Sequence, residues 1–258
     1  MDLNLTGKVA LVTGSNRGTG EIIARTLATE GARVIFHSNT LEDSNRKEGE
    51  LSVWGDLCSD AGAEQVIQQC RELAGDIDIL VNNYGTASPG KWGKSSSDDW
   101  LDMYQKNVLS AARLIQHASP AMKAKGWGRI IQLGTIGSHQ PNSIMPHYYA
   151  AKGALATMSV SLAKELSHTG ITVNTISPGY IRTPELEAGF RLKAEKKGWG
   201  RDWKEIEQKI VETEFPNPCG RIAERQEVAD LVAFICSDKA GFINGQNIRI
   251  DGGAVRYV

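Results

Sequence analysis

Apolar residues fall into short runs, and most runs are followed by a longer stretch in which they recur every three or four positions. The runs KVALVT (8–13), RVIFH (33–37), LSVWG (51–55), DILVNN (78–83), RIIQLG (129–134), TVNTIS (172–177) and NIRID (247–251) predict strands. Several are apolar at consecutive positions, as a strand must be when helices cover both its faces. The periodic stretches predict helices around 19–30, 60–74, 98–124, 147–168 and 225–237. This alternation defines an α/β fold built on a doubly wound parallel sheet. No internal repeat or low-complexity linker interrupts it, so residues 1–258 form one expected domain.

Two stretches break the rhythm. Only SNTLEDSNRKEGE separates the second and third strands, close to the minimum for a parallel crossover, so its helix should be short or missing. Residues 184–217 form a long charged insertion whose apolar members (Leu186, Phe190, Leu192, Trp199, Trp203, Ile206, Ile210 and Phe215) recur at roughly helical spacing. One or two amphipathic helices are expected there, either as a packing excursion or as a lid over substrate.

Composition narrows the function. The chain has 41% hydrophobic and 23% charged residues and a formal net charge of -1. That balance gives no general affinity for nucleic acid or an anionic membrane. The apolar runs are all too short to span a bilayer, and the N-terminal stretch lacks the pattern of a secretory signal, so a cytoplasmic protein is expected. Cys58, Cys70, Cys219 and Cys236 are widely spaced with no histidine cluster beside them, which predicts free thiols and no metal site.

The first strand runs into Thr13-Gly14-Ser15-Asn16-Arg17-Gly18-Thr19-Gly20 and then a helix. Glycines let backbone approach a pyrophosphate, and the helix N-terminus offers free N–H groups and a favourable dipole. A second constellation is HYYAAK, residues 147–152. Tyr148 is four residues before Lys152 and Tyr149 three, so on a helix either phenol can share a face with the ammonium. A free tyrosine has a pKa near about 10; a cation about 4 Å away, supplying on the order of 4 kcal/mol at an effective dielectric of about 20, could bring it toward neutrality. Geometry alone leaves the two tyrosines equal.

TGSNRGTG, NNYG at 82–85, Tyr148-x-x-x-Lys152 and SPGYIRTP at 177–184 occur in an order and spacing that resembles the short-chain dehydrogenase/reductase family, over essentially the whole chain. The resemblance implies a Rossmann-type, seven-stranded parallel sheet, a nicotinamide cofactor and often a homotetramer, with a homodimer as the alternative. It selects Tyr148 as acid/base and Lys152 as its activator. It also implies a serine thirteen positions before the tyrosine, where this chain has Thr135, with Ser138 as a possible substitute. Asn107 matches the asparagine that holds a relay water. On the cofactor side Gly14, Asn16, Arg17, Gly18, Thr19 and Gly20 match the phosphate loop. Asp56 and Leu57 match the adenine contacts, and Asn82 and Gly85 the adenosine groove, while Pro178, Gly179, Ile181 and Thr183 match the carboxamide side. Ser38 and Asn39 replace the acid that would repel a 2′-phosphate, and Arg17 could pair with one, so NADP is expected, with NAD as the alternative.

Tyr84 departs from the family pattern, where alanine is usual. Ile144, Met145 and Trp203, with Trp92 as a further candidate, would supply apolar walls around Thr135 and Tyr148. These features imply interconversion of a ketone and a secondary alcohol on a mostly apolar small or medium substrate. A 3-oxoacyl-carrier-protein reductase is an alternative, disfavoured by Thr169 where those enzymes often carry arginine. A dinucleotide-binding regulator without catalysis is a third.

Overall fold

A computed structural model describes residues 2–41, 43 and 49–256. Seven parallel strands form one sheet in the order β3-β2-β1-β4-β5-β6-β7. They are β1 (Val9–Val12), β2 (Arg33–Ser38), β3 (Leu51–Trp54), β4 (Ile79–Asn82), β5 (Gly128–Leu133), β6 (Ile171–Pro178) and β7 (Asn247–Ile250). The helices are α1 (Gly18–Thr29), α2 (Asp60–Ala74), α3 (Ser97–Tyr104), α4 (Ser110–Lys125), α5 (Pro146–Glu165), α6 (Pro184–Lys197), α7 (Trp203–Thr213) and α8 (Arg225–Cys236). All seven expected strands are present. The predicted shortening of the β2–β3 crossover helix lies largely outside the described residues.

Strand alternation sorts the core into two layers. Ala10 and Val12 of β1 pack with Ile23, Leu27 of α1 and Val228, Val232 of α8. Val9 and Leu11 face the other way, onto Val66, Ile67 of α2 and Leu114, Met122 of α4. Helix starts follow local chemistry. The Ser59 hydroxyl accepts the Gly62 N–H at 3.1 Å to cap α2, Ser96 and Asp99 form a capping box on α3, and prolines open α5 and α6.

The single helix expected over 98–124 is α3 and α4 joined through a π-turn at Gln105–Leu109. Such turns widen a helix by one residue and often mark functional positions. The 184–217 insertion forms two helices, α6 and α7, of which only α7 has the expected one-sided apolar face, burying Ile206 and Ile210. Ala194, Ile206, Ile210 and Phe215 make its core, which extends to Ile136 after β5 and Tyr180 after β6. Leu192 alone among its predicted apolar positions faces outward. Among the described residues no helix is long and apolar enough to cross a membrane.

Candidate active site

The C-terminal ends of β1, β4, β5 and β6 meet on one rim of the sheet, where open α/β sheets bind ligands. After β1 the chain turns at Gly14 (φ 58) and Gly18 (φ 67), the left-handed region open to glycine at no steric cost. Helix α1 then begins with no side-chain cap, leaving its first N–H groups turned toward the rim. Asn83 holds the turn in place: its amide donates to Thr13 O at 2.8 Å and Gly14 O at 3.1 Å. A methyl added at Gly20 would lie 2.6 Å from the Gly14 carbonyl, so helix and loop touch through bare backbone. This cradle fits a pyrophosphate.

His37 ties β2 to the same loop. Its ring is 1% exposed; Nδ1 accepts from Gly14 N–H at 3.1 Å, so Nε2 carries the proton given to Gly55 O at 3.0 Å. Burial pushes its pKa down to about 4, so the ring is neutral. Next to it, the Ser38 hydroxyl turns inward and donates to Thr40 O at 2.8 Å. Asn39 and Arg17 do not share this inward turn: both are exposed and face solvent, at the end of β2 and in the phosphate loop. Asp56 is exposed and accepts Cys58 N–H at 2.9 Å, whereas the Leu57 side chain is core. Asn82, expected in the adenosine groove, is 4% exposed and stands beside Gln132 in the sheet register. Alternation along β4 gives the loop-holding position to Asn83.

Tyr84 reaches across this side of the rim. Its N–H donates to the Thr13 hydroxyl at 2.8 Å, its phenol meets the Cys58 thiol at 3.5 Å, and its ring stands edge-on to His37 at 6.2 Å. Burial raises its pKa. The phenol that departs from the family pattern thus closes the gap between the loop after β4 and the start of α2.

Tyr148 and Lys152 lie in the first turns of α5. His147 orders that turn, its Nδ1 accepting the Tyr148 N–H at 2.8 Å. Burial raises the Tyr148 phenol to about 12, Tyr149 adds to the rise, and the Thr135 hydroxyl beside it pulls the other way. Lys152 is buried, donates to Leu133 O at 2.7 Å, and is pushed down to about 8 by that burial. The lowering of the phenol by the lysine that the sequence suggested is not found in the protein alone: burial raises the phenol, and Thr135 is the group that opposes the rise.

Gly85 explains the last position of NNYG. A methyl there would lie 3.3 Å from Lys152 Nζ and against the Asn107 amide oxygen. Asn107, in the π-turn, clamps the loop after β4: its oxygen accepts Thr86 N–H at 3.2 Å and its nitrogen donates to Thr86 O at 2.9 Å. Thr135 accepts the Gly137 N–H at 3.2 Å. Ser138 gives its hydroxyl to Thr135 O at 2.7 Å, which engages it in the turn rather than at the reacting centre. Thr183 caps α6, accepting Leu186 N–H at 3.2 Å, and the Ile181 side chain packs into the core, leaving its backbone at the rim.

A cavity of about 210 Å³ opens beside Thr135, walled by Tyr149, Gly179, Tyr180, Glu214 and Phe215 among others. Of the residues expected to bind substrate, Thr135 lines it, whereas Tyr148, Ile144, Met145 and Trp203 do not; Tyr148 stands behind Thr135, in contact with its hydroxyl. Ile144 is half exposed on the loop before α5, and Trp203 stacks beneath Arg182, 4.9 Å from its ring centre. Of the expected apolar walls, Trp203 is thus taken into the α6–α7 packing, while Ile144 and Met145 stay on the loop leading into α5. Asn83, His37 and Glu214 were not legible as site residues, since their partners are backbone groups or come from remote segments.

Together these features define an α/β dinucleotide-binding unit with a half-buried phenol and a buried lysine on one helix at its rim. A family model described as "Enoyl-(Acyl carrier protein) reductase" matches residues 14–255. The 3-oxoacyl-[acyl-carrier-protein] reductase FabG of Escherichia coli (strain K12) is 34% identical over 256 residues, covering 97% of this chain and 98% of the relative. An uncharacterised oxidoreductase of Bacillus subtilis, YvaG, is 34% identical and covers 100% of both chains. The crystal structure of L-sorbose reductase from Gluconobacter frateurii, complexed with NADPH and L-sorbose, superposes with a TM-score of 0.91 at 31% identity and 100% coverage of both. The chain belongs to the short-chain dehydrogenase/reductase family of NAD(P)-dependent oxidoreductases.

Proposed function

We propose that this enzyme reduces a ketone to a secondary alcohol with NADPH, with Tyr148 delivering the proton. The observation that carries the reading is the convergence of Tyr148, Thr135, Lys152 and Asn107 at one end of the sheet, beside a phosphate cradle. When bound, the nicotinamide supplies the hydride that adds to the carbonyl carbon. The chain supplies the rest.

Tyr148 gives its proton to the carbonyl oxygen as negative charge builds there. A phenol held up to about 12 is fully protonated at neutral pH, the form the acid role needs. Thr135 retains a hydroxyl proton to donate to the same oxygen. Lys152, charged below about 8, stabilises the phenolate left behind. Asn107 fixes the loop after β4 and keeps Gly85 against Lys152.

NADPH is favoured by Ser38 and Asn39 in place of an acid after β2, by Arg17 in the phosphate loop, and by the cofactor named for the L-sorbose reductase. A homotetramer or homodimer fits this reading, with Leu101, Tyr104 and Val160 exposed on α3 and α5. The FabG relatives support a second reading, reduction of a 3-oxoacyl thioester. Nicotinamide absorbance separates the readings: turnover of free ketones with NADPH supports the first, and turnover only of 3-oxoacyl thioesters the second. Tight NADPH binding without turnover of any carbonyl would overturn both in favour of a regulator.

A further inference from the structure

The cavity beside Thr135 is small, and polar side chains share its walls with Ile136, Phe215, Pro216 and Ala254. At about 30 Å³ per water molecule, its 210 Å³ holds about seven waters, which suits a short-chain substrate. Four segments supply side chains with hydrogen-bonding groups: Gln140 and Asn142 after β5, Tyr149 on α5, Tyr180 after β6, and Glu214 at the end of α7. Tyr149 and Glu214 both act on the Tyr180 phenol, which burial raises, so these three groups share one wall.

The wall is built rather than incidental. The Tyr149 ring lies flat on Gly137, where a methyl would sit 3.1 Å from its Cζ. Phe215 presses on Gly179 in the same way, 2.5 Å from a methyl placed there, and stacks on Tyr180 at 4.8 Å. Lys193 and Lys197 hold Glu214 Oε1, at 2.5 and 3.8 Å. Among the described residues, Oε2 has no bonded partner and remains an acceptor.

An apolar ketone could rest on Phe215 and Ala254, but it would desolvate the half-buried Tyr149, Tyr180 and Glu214 and offer them nothing in exchange. Sites lined by such groups reject analogues that lack the matching hydroxyls far more strongly than apolar pockets discriminate by size. Alternating hydroxyls supply what these walls need: donors for Glu214 Oε2 and the amide oxygens, and acceptors for the phenols and amide N–H groups.

We propose that the substrate is a neutral polyhydroxylated ketone, a short ketose or its polyol, and that Tyr149 and Glu214 select it by bonding its hydroxyls. This rests on the ketone-reductase reading above and adds the substrate class to it. Steady-state rates with NADPH would be measured for D-fructose and D-tagatose against 2-hexanone, the apolar ketone of equal carbon number. The wild-type kcat/KM should favour a ketose, and Tyr149→Phe and Glu214→Gln should each shrink the ketose-to-2-hexanone ratio by about 10-fold or more, mostly through KM. Preference for 2-hexanone in the wild type, or equal losses on both substrates in both variants, overturns the proposal and leaves the ketone-reductase reading standing. No turnover of either class, with NADPH bound, overturns the two together.

Discussion

Two buried titratable side chains set the pH behaviour of this protein. Lys152 has its pKa depressed from 10.5 to about 8, so its charge is present below that value and fades above it. Reduction should therefore hold steady through neutrality and decline as pH rises past about 8. A Lys152→Met variant should be slow throughout and lack that limb, as pH–rate profiles of kcat/KM would show. His37, depressed from 6.5 to about 4, is neutral in the folded state and charged in the unfolded state between those values. The unfolded chain then binds the extra proton, so stability is full above 6.5 and is lost as pH falls toward 4. The shift corresponds to about 3 kcal/mol at most. Urea titrations from pH 7 to 5 should show a steeper loss in the wild type than in His37→Gln. This role was hidden in the sequence because both ring partners, Gly14 N–H and Gly55 O, are backbone groups.

At the scale of elements, α6 and α7 are tied to the rim where Phe215 meets the bare face of Gly179. Gly179→Ala should push Phe215 outward and loosen both helices. Overpacking of this kind costs about 1–3 kcal/mol. A raised substrate KM and faster amide hydrogen exchange confined to α6 and α7 would be the measured signs. The sequence made these helices legible through their apolar spacing, but not their direction. Trp203 has the spacing of a pocket residue, yet it lies beneath Arg182. The strands were the easiest elements to read, since both-face burial leaves unbroken apolar runs. The π-turn was not, because one inserted residue leaves the apolar periodicity of 98–124 nearly unchanged. Asn107 could therefore be matched by resemblance while its clamp on Thr86 could not be foreseen.

Across the whole molecule, cofactor binding and folding are coupled, since the phosphate cradle joins β1, α1, β2 and the loop after β4. A ligand at 100-fold its Kd stabilises the folded state by about 2.7 kcal/mol. For a chain of this size that should raise Tm by about 5–10 °C. Arg17→Glu should remove most of the shift given by NADPH while sparing that given by NADH, a difference thermal melts would resolve. The motifs of the catalytic end were legible because their chemistry sits in short local spacings, as in Tyr148 and Lys152. The cavity beside Thr135 was not, because Thr135, Tyr149, Gly179 and Glu214 meet only once the sheet has formed. The central claim is that Tyr148, and not its neighbour, transfers the proton. Single-turnover reduction with NADPH, compared across wild type, Tyr148→Phe and Tyr149→Phe on the best ketone, tests it most directly. Tyr148→Phe should bind NADPH normally and lose about 10²–10⁴-fold in rate, far more than Tyr149→Phe. Full activity in Tyr148→Phe would contradict the account.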